Sequence, residues 1–405
     1  MSRIIYTLII FFSVISLFAQ YHPSCNGQRY RVDVFENVKV TKDIEYSEAT
    51  TIGGESKKLF LDVYEPVSDV VTERPVIVLA FGGSFISGTR RDIQFLCERF
   101  AKKGYVAVSI DYRLYDLPLF PLPTETEMQD VVVRAVKDMK GALRYLDDDA
   151  KASNTYRIDM NWLFVGGISA GAIVANHTAM LDSTDVYSET IASAISTHSP
   201  IYGITDSDTS IQIRGVLNYS GALHDASWLD ESDPPFISFH EDEDPTVPYK
   251  GGYAQIFGQD IIYLNGSFVM DSAAKANGVF SELNTINSNT HVGYFFNAEK
   301  TTEVIDASAL FMYEIICSET ADIEDINEPK LFTLSPNPFH NTLTVQLPAD
   351  LRASISLLDT RGVAVFNATQ VSGDYSIRTS ELAAGVYFLK VAINGQVSSH
   401  KVIKE

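Results

Sequence analysis

The sequence predicts an α/β fold built on a mainly parallel sheet, joined to a small C-terminal all-β sandwich. Three observations carry that reading. Between about Tyr30 and Ser318, short runs rich in Val, Ile and aromatics recur, most of them near-continuously apolar, as befits strands buried on both faces. Longer segments with helix-like spacing separate them, the order of successive βαβ units. After residue 330 the pattern changes to short alternating strands divided by Gly or Asp turns.

Taken in order, the chain opens with Met-Ser-Arg, an apolar run from Ile4 to Phe18, and Ala19-Gln20. A basic start, an apolar stretch short of the ~20 residues that span a bilayer, and a small residue at its end read as a cleavable signal peptide over 1–19. Residues 20–318 are expected to form the α/β domain. Its expected strands are Leu59–Tyr64, Pro75–Phe81, Tyr105–Asp111, Trp162–Gly166, Ile213–Tyr219 and Pro235–His240, and its expected helices Ile93–Lys103, Glu127–Asp147 and Ala170–Leu181. The acidic stretch Ser318–Pro329 reads as a linker, with the domain boundary set at 319–330. Residues 331–405 hold strands at Thr342–Gln346, Ser354–Leu358, Val363–Asn367, Tyr375–Arg378 and Val386–Ile393, enough chain for one modest core.

Composition narrows the function. The 405 residues suggest two or three domains at roughly 150 residues each. With 31 basic and 52 acidic residues the net charge is −21, which repels phosphates and disfavours nucleic acid or an anionic membrane surface as partner. From Leu331 onward six basic residues meet five acidic ones, so the acidity belongs to the middle of the chain. Three cysteines without C-x-x-C exclude a disulfide-dense mini-fold and a zinc finger. No metal-ligand cluster, dinucleotide loop or phosphate loop appears, so no cofactor is expected.

The strongest local signal is Gly167-Ile168-Ser169-Ala170-Gly171, between an apolar strand and a helix start rich in small residues. A G-x-S-x-G elbow needs that context, because the serine sits at a strained turn where flanking side chains would clash. A second element, Phe81-Gly82-Gly83-Ser84-Phe85 with Gly88 beyond, also follows an apolar strand. A tetrahedral oxyanion needs backbone N–H donors, which a glycine loop can present. The donors expected here are the N–H groups of Gly83, Ser84 and Ala170. A serine nucleophile needs a base, and the order Ser, acid, His leaves His291 among the eight histidines. An acid after the strand Pro235–His240 would orient that imidazole; Asp244 is the first choice, with Asp242 and Asp225 as competitors. His177 reads as a packing or a surface residue, His240 at its strand end as a structural one, and Asp111-Tyr112-Arg113 as a buried polar latch.

These motifs carry a resemblance. The glycine loop resembles the His-Gly-Gly-Gly loop of lipases and carboxylesterases, with Phe81 in place of His and Ser84 in place of the third Gly. With Leu61-Asp62-Val63-Tyr64-Glu65-Pro66, the stretch Gly104 to Leu114, and His240-Glu241-Asp242-Glu243-Asp244-Pro245-Thr246-Val247-Pro248-Tyr249, residues 30–318 look like an α/β-hydrolase of the carboxylesterase or esterase/lipase type. The family often has His-Gly-x-x-Asp-x-x-Val-Pro in the last of these, so the resemblance puts Asp244 on the acid and Glu241 where Gly is usual. The C-terminal residues resemble the type A sorting domain of the type IX secretion system, through Leu334-Ser335-Pro336-Asn337-Pro338-Phe339, Ile355 to Gly362, Gly385 to Val391 and Lys401-Val402-Ile403-Lys404.

The resemblance implies a secreted serine esterase using Ser169, His291 and Asp244 through an acyl-enzyme, delivered by the type IX machinery without stable membrane insertion. Its expected substrates are esters of short-to-medium acyl chain, including acyl groups on polysaccharides. The segments Tyr115–Glu127 and His224–Trp228 are expected to border the pocket, and the Ser/Thr/Asp-rich stretch between Leu181 and Ile213 holds no large amphipathic lid. A serine peptidase on the same fold and a non-catalytic surface binding protein are the alternatives. In the resembled fold the helices of Cys97 and Cys317 share a sheet face, which leaves a Cys97–Cys317 bridge and one involving Cys25 both open.

Overall fold

The apolar runs assemble into a single eight-stranded sheet. The computed structural model describes residues 22–182, 185–197, 211–317, 332–348, 351–359, 364–393 and 396–404, so the leader over 1–19 and the linker over 319–330 lie outside the described residues. The chain divides into two compact units, Met1–Thr320 and Ala321–Glu405.

The strands of the first unit are β1 (Val38–Thr50), β2 (Ser56–Pro66), β3 (Arg74–Ala80), β4 (Val106–Ile110), β5 (Ile158–Ile168), β6 (Ile213–Tyr219), β7 (Ala222–Leu223), β8 (Phe236–Glu241), β9 (Gly251–Ile256), β10 (Gln259–Gly266) and β11 (Ser281–Ile286). The main sheet runs in the order β1-β2-β4-β3-β5-β6-β8-β11. The β1–β2 and β2–β4 pairs are antiparallel, and every pair from β4–β3 to β8–β11 is parallel. All seven residues of β3 and all five of β4 are buried, which is why these strands read as unbroken apolar runs. The β7, β9 and β10 strands make a separate three-stranded antiparallel sheet.

The helices are α1 (Gln94–Lys102), α2 (Glu125–Ala152), α3 (Ala170–Met180), α4 (Glu189–Thr197), α5 (Ser267–Ala276) and α6 (Ala298–Cys317). A capping box starts α2, in which Thr124 Oγ1 accepts from the Glu127 N–H while the Thr124 N–H donates to the Glu127 carboxylate. Ten of the eleven residues of α3 are buried, so it is a core helix without a polar face. In the Ser/Thr/Asp-rich interval, α4 buries Ile191 and Ala194, a helix whose short apolar face the composition concealed.

The structure decides the cysteine pairing. Cys25 bonds Cys317, and Cys97 stays free and fully buried in α1. The Cys97–Cys317 alternative fails because the segment around Cys25 lies on the end of α6, where the His22 N–H donates to the Ile316 carbonyl at 3.3 Å.

The second unit is all β: β12 (Thr333–Ser335), β13 (Thr342–Gln346), β14 (Ala353–Leu358), β15 (Ala364–Val371), β16 (Asp374–Arg378), β17 (Gly385–Ile393) and β18 (Gln396–Lys404). They form antiparallel sheets in the orders β12-β13-β16 and β15-β14-β17-β18. Leu343, Val345, Ile355, Leu357, Ile377, Leu389 and Val391 point inward at alternate positions and build its core with Phe339.

Candidate active site

The elbow is built where β5 runs into α3. Ser169 has φ 55° and ψ −118°, left-handed backbone that an L-residue adopts at a cost of ~1–3 kcal/mol. Its neighbours explain why the motif needs two glycines. A Cβ on Gly171 would lie 2.1 Å from the Ala80 carbonyl oxygen, and one on Gly167 would lie 2.4 Å from the Gly171 backbone. The turn is tied down by the Ser169 N–H, which donates to Tyr219 O at 2.8 Å.

The glycine loop after β3 lies against this elbow, since a Cβ on Gly82 would sit 3.2 Å from Ser169 Cβ. Gly83, Ser84 and Phe85 are all left-handed, at φ 128°, 55° and 62°. A Cβ on Gly83 would meet the Ser87 carbonyl at 2.1 Å, so this position requires glycine. The Ile86 and Ser87 N–H groups close the loop onto Gly83 O at 3.0 and 3.1 Å. Among the described residues the Gly83 and Ser84 N–H groups donate to no protein acceptor. From the expected latch, Tyr112 stacks on Phe81 with centroids 4.3 Å apart and donates its hydroxyl to Phe81 O at 2.8 Å. Arg113 pairs with buried Asp138 at 2.7 Å, and Asp111 with Arg90 at 2.6 Å.

Ser169 and His291, 122 residues apart, meet at 2.7 Å between Oγ and Nε2. The other ring nitrogen, Nδ1, lies 2.6 Å from Asp244 Oδ2. Ser169 is 5% exposed, the Asp244 side chain is fully buried and the His291 side chain is 17% exposed, so the imidazole is the member nearest solvent. Asp244 Oδ1 accepts from the Thr246 and Val247 N–H groups at 2.7 and 3.0 Å. Burial would raise the Asp244 pKa, but hydrogen bonds from His240, His291 and the Thr246 N–H outweigh it and hold the acid down at about 2. The competitors go elsewhere: Asp242 accepts from the Ser288 N–H and the Asn287 amide, and Asp225 from the Ser227 N–H.

Two neighbours escaped the reading of the sequence. Glu241 is fully buried, and its carboxylate accepts from the Gly293 N–H at 2.6 Å, Thr290 Oγ1 at 3.2 Å and Ser220 Oγ at 2.9 Å. It therefore ties both flanks of His291 to the end of β8. Its position where Gly is usual in the resembled family was the available signal. His240 sits fully buried between Ser267 Oγ at 2.8 Å and Val247 O at 3.1 Å, with its Nε2 3.4 Å from Asp244. Ser267 Oγ accepts from the Asn218 amide at 3.0 Å and donates to Gly221 O at 3.3 Å, so the contact with His240 Nδ1 belongs to a buried polar cluster behind the acid. His177 packs as expected: its Nδ1 donates to Ile173 O at 2.7 Å, and burial lowers its pKa to about 4.

Beside Ser169 lies a cavity of about 30 Å³ lined by Ser84, Ala170, Ile173, Val247, Ile256 and Ile262. His224 and Trp228 line a second cavity behind it, whereas Leu117–Pro123 line neither. Among the described residues, no group of three or more His, Cys, Asp or Glu is placed to hold a metal ion.

A serine on a strained turn between a central parallel strand and a buried helix, in a sheet of this order, defines an α/β-hydrolase fold. Residues 61–225 match the BD-FAE family, and residues 333–405 match the secretion system C-terminal sorting domain. Residues 61–225 are therefore an esterase-like α/β-hydrolase domain and residues 333–405 a type IX sorting domain, which directs export to the cell surface or extracellular space. No curated protein matches the chain. Among solved structures, the apo form of Thermogutta terrifontis esterase 2 is similar at 20% identity and TM-score 0.49, over 71% of this chain and 97% of that one. The same esterase phosphorylated by paraoxon is similar at 20% identity and TM-score 0.49, over 69% and 95%. Its propionate-bound form aligns at 19% identity and TM-score 0.48, over 69% and 96%. No described helix is long and apolar enough to cross a membrane.

Proposed function

We propose that the protein is a secreted serine esterase that cleaves carboxylic esters of short-to-medium acyl chain. The observation that carries the reading is the unbroken line from Ser169 Oγ through His291 to the buried carboxylate of Asp244, at 2.7 and 2.6 Å. In this mechanism Ser169 attacks the ester carbonyl while His291 takes its proton. The N–H groups of Gly83, Ser84 and Ala170 receive the oxyanion, and His291 returns the proton to the departing alcohol. Water, activated by the same imidazole, then hydrolyses the acyl-enzyme. Asp244, held anionic at all but the lowest pH, fixes the ring and stabilises its charged form.

The test is Ser169→Ala, which should abolish p-nitrophenyl acetate hydrolysis and fluorophosphonate labelling while leaving the melting temperature in place. Undiminished turnover in that variant sinks the assignment, and faster cleavage of a peptide panel than of esters would make the enzyme a peptidase. The working enzyme is proposed to run from about Gln20 to Ser318, with leader and sorting unit removed; N-terminal sequencing and intact mass of the exported protein check both ends.

A further inference from the structure

We propose, resting on the esterase reading above, that the enzyme is selective for acetyl to butyryl esters because three side chains wall off its acyl cavity from a second apolar chamber. His291 must hand its proton to the departing alcohol, so the alcohol lies on the His291 side of the nucleophile. The cavity beside Ser169 is lined instead by Ser84 and Ala170, from the oxyanion side, and by mostly apolar residues with Thr246 and Gln255 among them, and His291 does not line it, so it receives the acyl group. Its volume is about 30 Å³. One water occupies ~10–15 Å³ of such space, so two or three carbon atoms beyond the carbonyl fill it.

Behind it lies a chamber of about 30 Å³ lined by Val132, Val136, Leu181, Ile191, Trp228 and Leu264. The two spaces share Phe85, Ile173 and Ile262, which form the wall between them. Each comes from a different element: Phe85 from the glycine loop, Ile173 from α3 one turn past the nucleophile, and Ile262 from β10. All three are buried, at 4%, 4% and 6% exposure, so none is free to swing into solvent. Phe85 is pinned further, because its carbonyl accepts from the Tyr115 N–H at 2.8 Å. A chain longer than butyryl must displace one of them from packed surroundings. Shortening one to Ala joins the chambers and about doubles the acyl room.

The experiment measures kcat/KM of the full chain on p-nitrophenyl acetate, butyrate, hexanoate and octanoate, for wild type, Ile262→Ala and Ile173→Ala. One methylene gained or refused by an apolar pocket changes kcat/KM by ~10-fold or more. Wild type should therefore lose at least ~10-fold between butyrate and hexanoate, and each variant should raise its hexanoate-to-butyrate ratio by at least ~10-fold. Hexanoate turnover equal to butyrate in wild type overturns the wall. So does an unmoved ratio in a variant that melts like wild type and still hydrolyses butyrate; two positions on separate elements guard against one misfolded variant. Absence of ester turnover and of fluorophosphonate labelling in wild type removes the esterase reading itself, a result distinct from intact turnover with another chain-length profile.

Discussion

Replacing Glu241 by Ala tests how the base is held. The carboxylate accepts three hydrogen bonds inside the protein, and their fates differ when it goes. Ser220 Oγ keeps the Tyr294 hydroxyl at 3.0 Å, and Thr290 Oγ1 keeps Ser288 Oγ at 2.8 Å. The Gly293 N–H, two residues past His291, loses its acceptor at 2.6 Å, which costs ~1–3 kcal/mol for an unsatisfied donor. That turn already carries Val292 in a left-handed conformation at φ 52°. Without its anchor it relaxes, and a displacement near 1 Å of a catalytic group costs ~100-fold in rate. Michaelis curves on p-nitrophenyl acetate should show kcat reduced ~30- to 100-fold with KM within about twofold, because substrate does not touch Glu241. Glu241→Gln, which can still accept from Gly293, should recover most of the loss. A kcat for Glu241→Ala within about threefold of wild type refutes the positioning role.

Other outcomes follow from the same coordinates. The Asp244 carboxyl is depressed from 3.8 to about 2, so its contribution of about 2 kcal/mol is complete above pH ~4 and lost as pH falls through about 2. Acid unfolding of Asp244→Asn should lack that component between pH 4 and 2, and an unchanged acid limb would count against the buried anion. The Cys25–Cys317 bridge closes a span of 292 residues, and such bridges contribute ~2–4 kcal/mol. Cys317→Ser should lower the melting temperature by ~3–6 °C, and equal melting with and without reductant would refute it. Gly171→Ala places a methyl 2.1 Å from Ala80 O and should yield little folded enzyme, read by circular dichroism and soluble yield; a well-folded variant would mean the elbow has more room than described.

The sheet's interior was legible because β3, β4, β5 and β8 are buried on both faces and so read as apolar runs. Its edges were not. β1 alternates partly buried and exposed residues among charges, and β11 is Ser-Glu-Leu-Asn-Thr-Ile, a polar edge strand without an apolar run. The β9–β10 hairpin and α5 were missed for the same reason, being half exposed. Ser169 was legible because strain restricts which residues can flank it. The meeting of Asp244 and His291 with it could be inferred only from chain order and the family resemblance, since nothing local to an isolated imidazole records a partner 47 residues away. Glu241 stood out only as a replacement for the usual Gly of the resembled family; the fold reveals it as buried. The pairing of Cys25 left no trace because the segment carrying it has no periodicity to place it on α6.

The position of Ile262 on the small β7-β10-β9 sheet separates reaction from selection. The groups proposed to perform chemistry come from the ends of the main sheet and the loops that leave it, whereas part of the cavity wall comes from a hairpin inserted after the Asp244 loop. Mutational drift on that hairpin can alter which esters are admitted without moving a proton-transfer distance. Relatives built this way would share one reactive centre and diverge in diet.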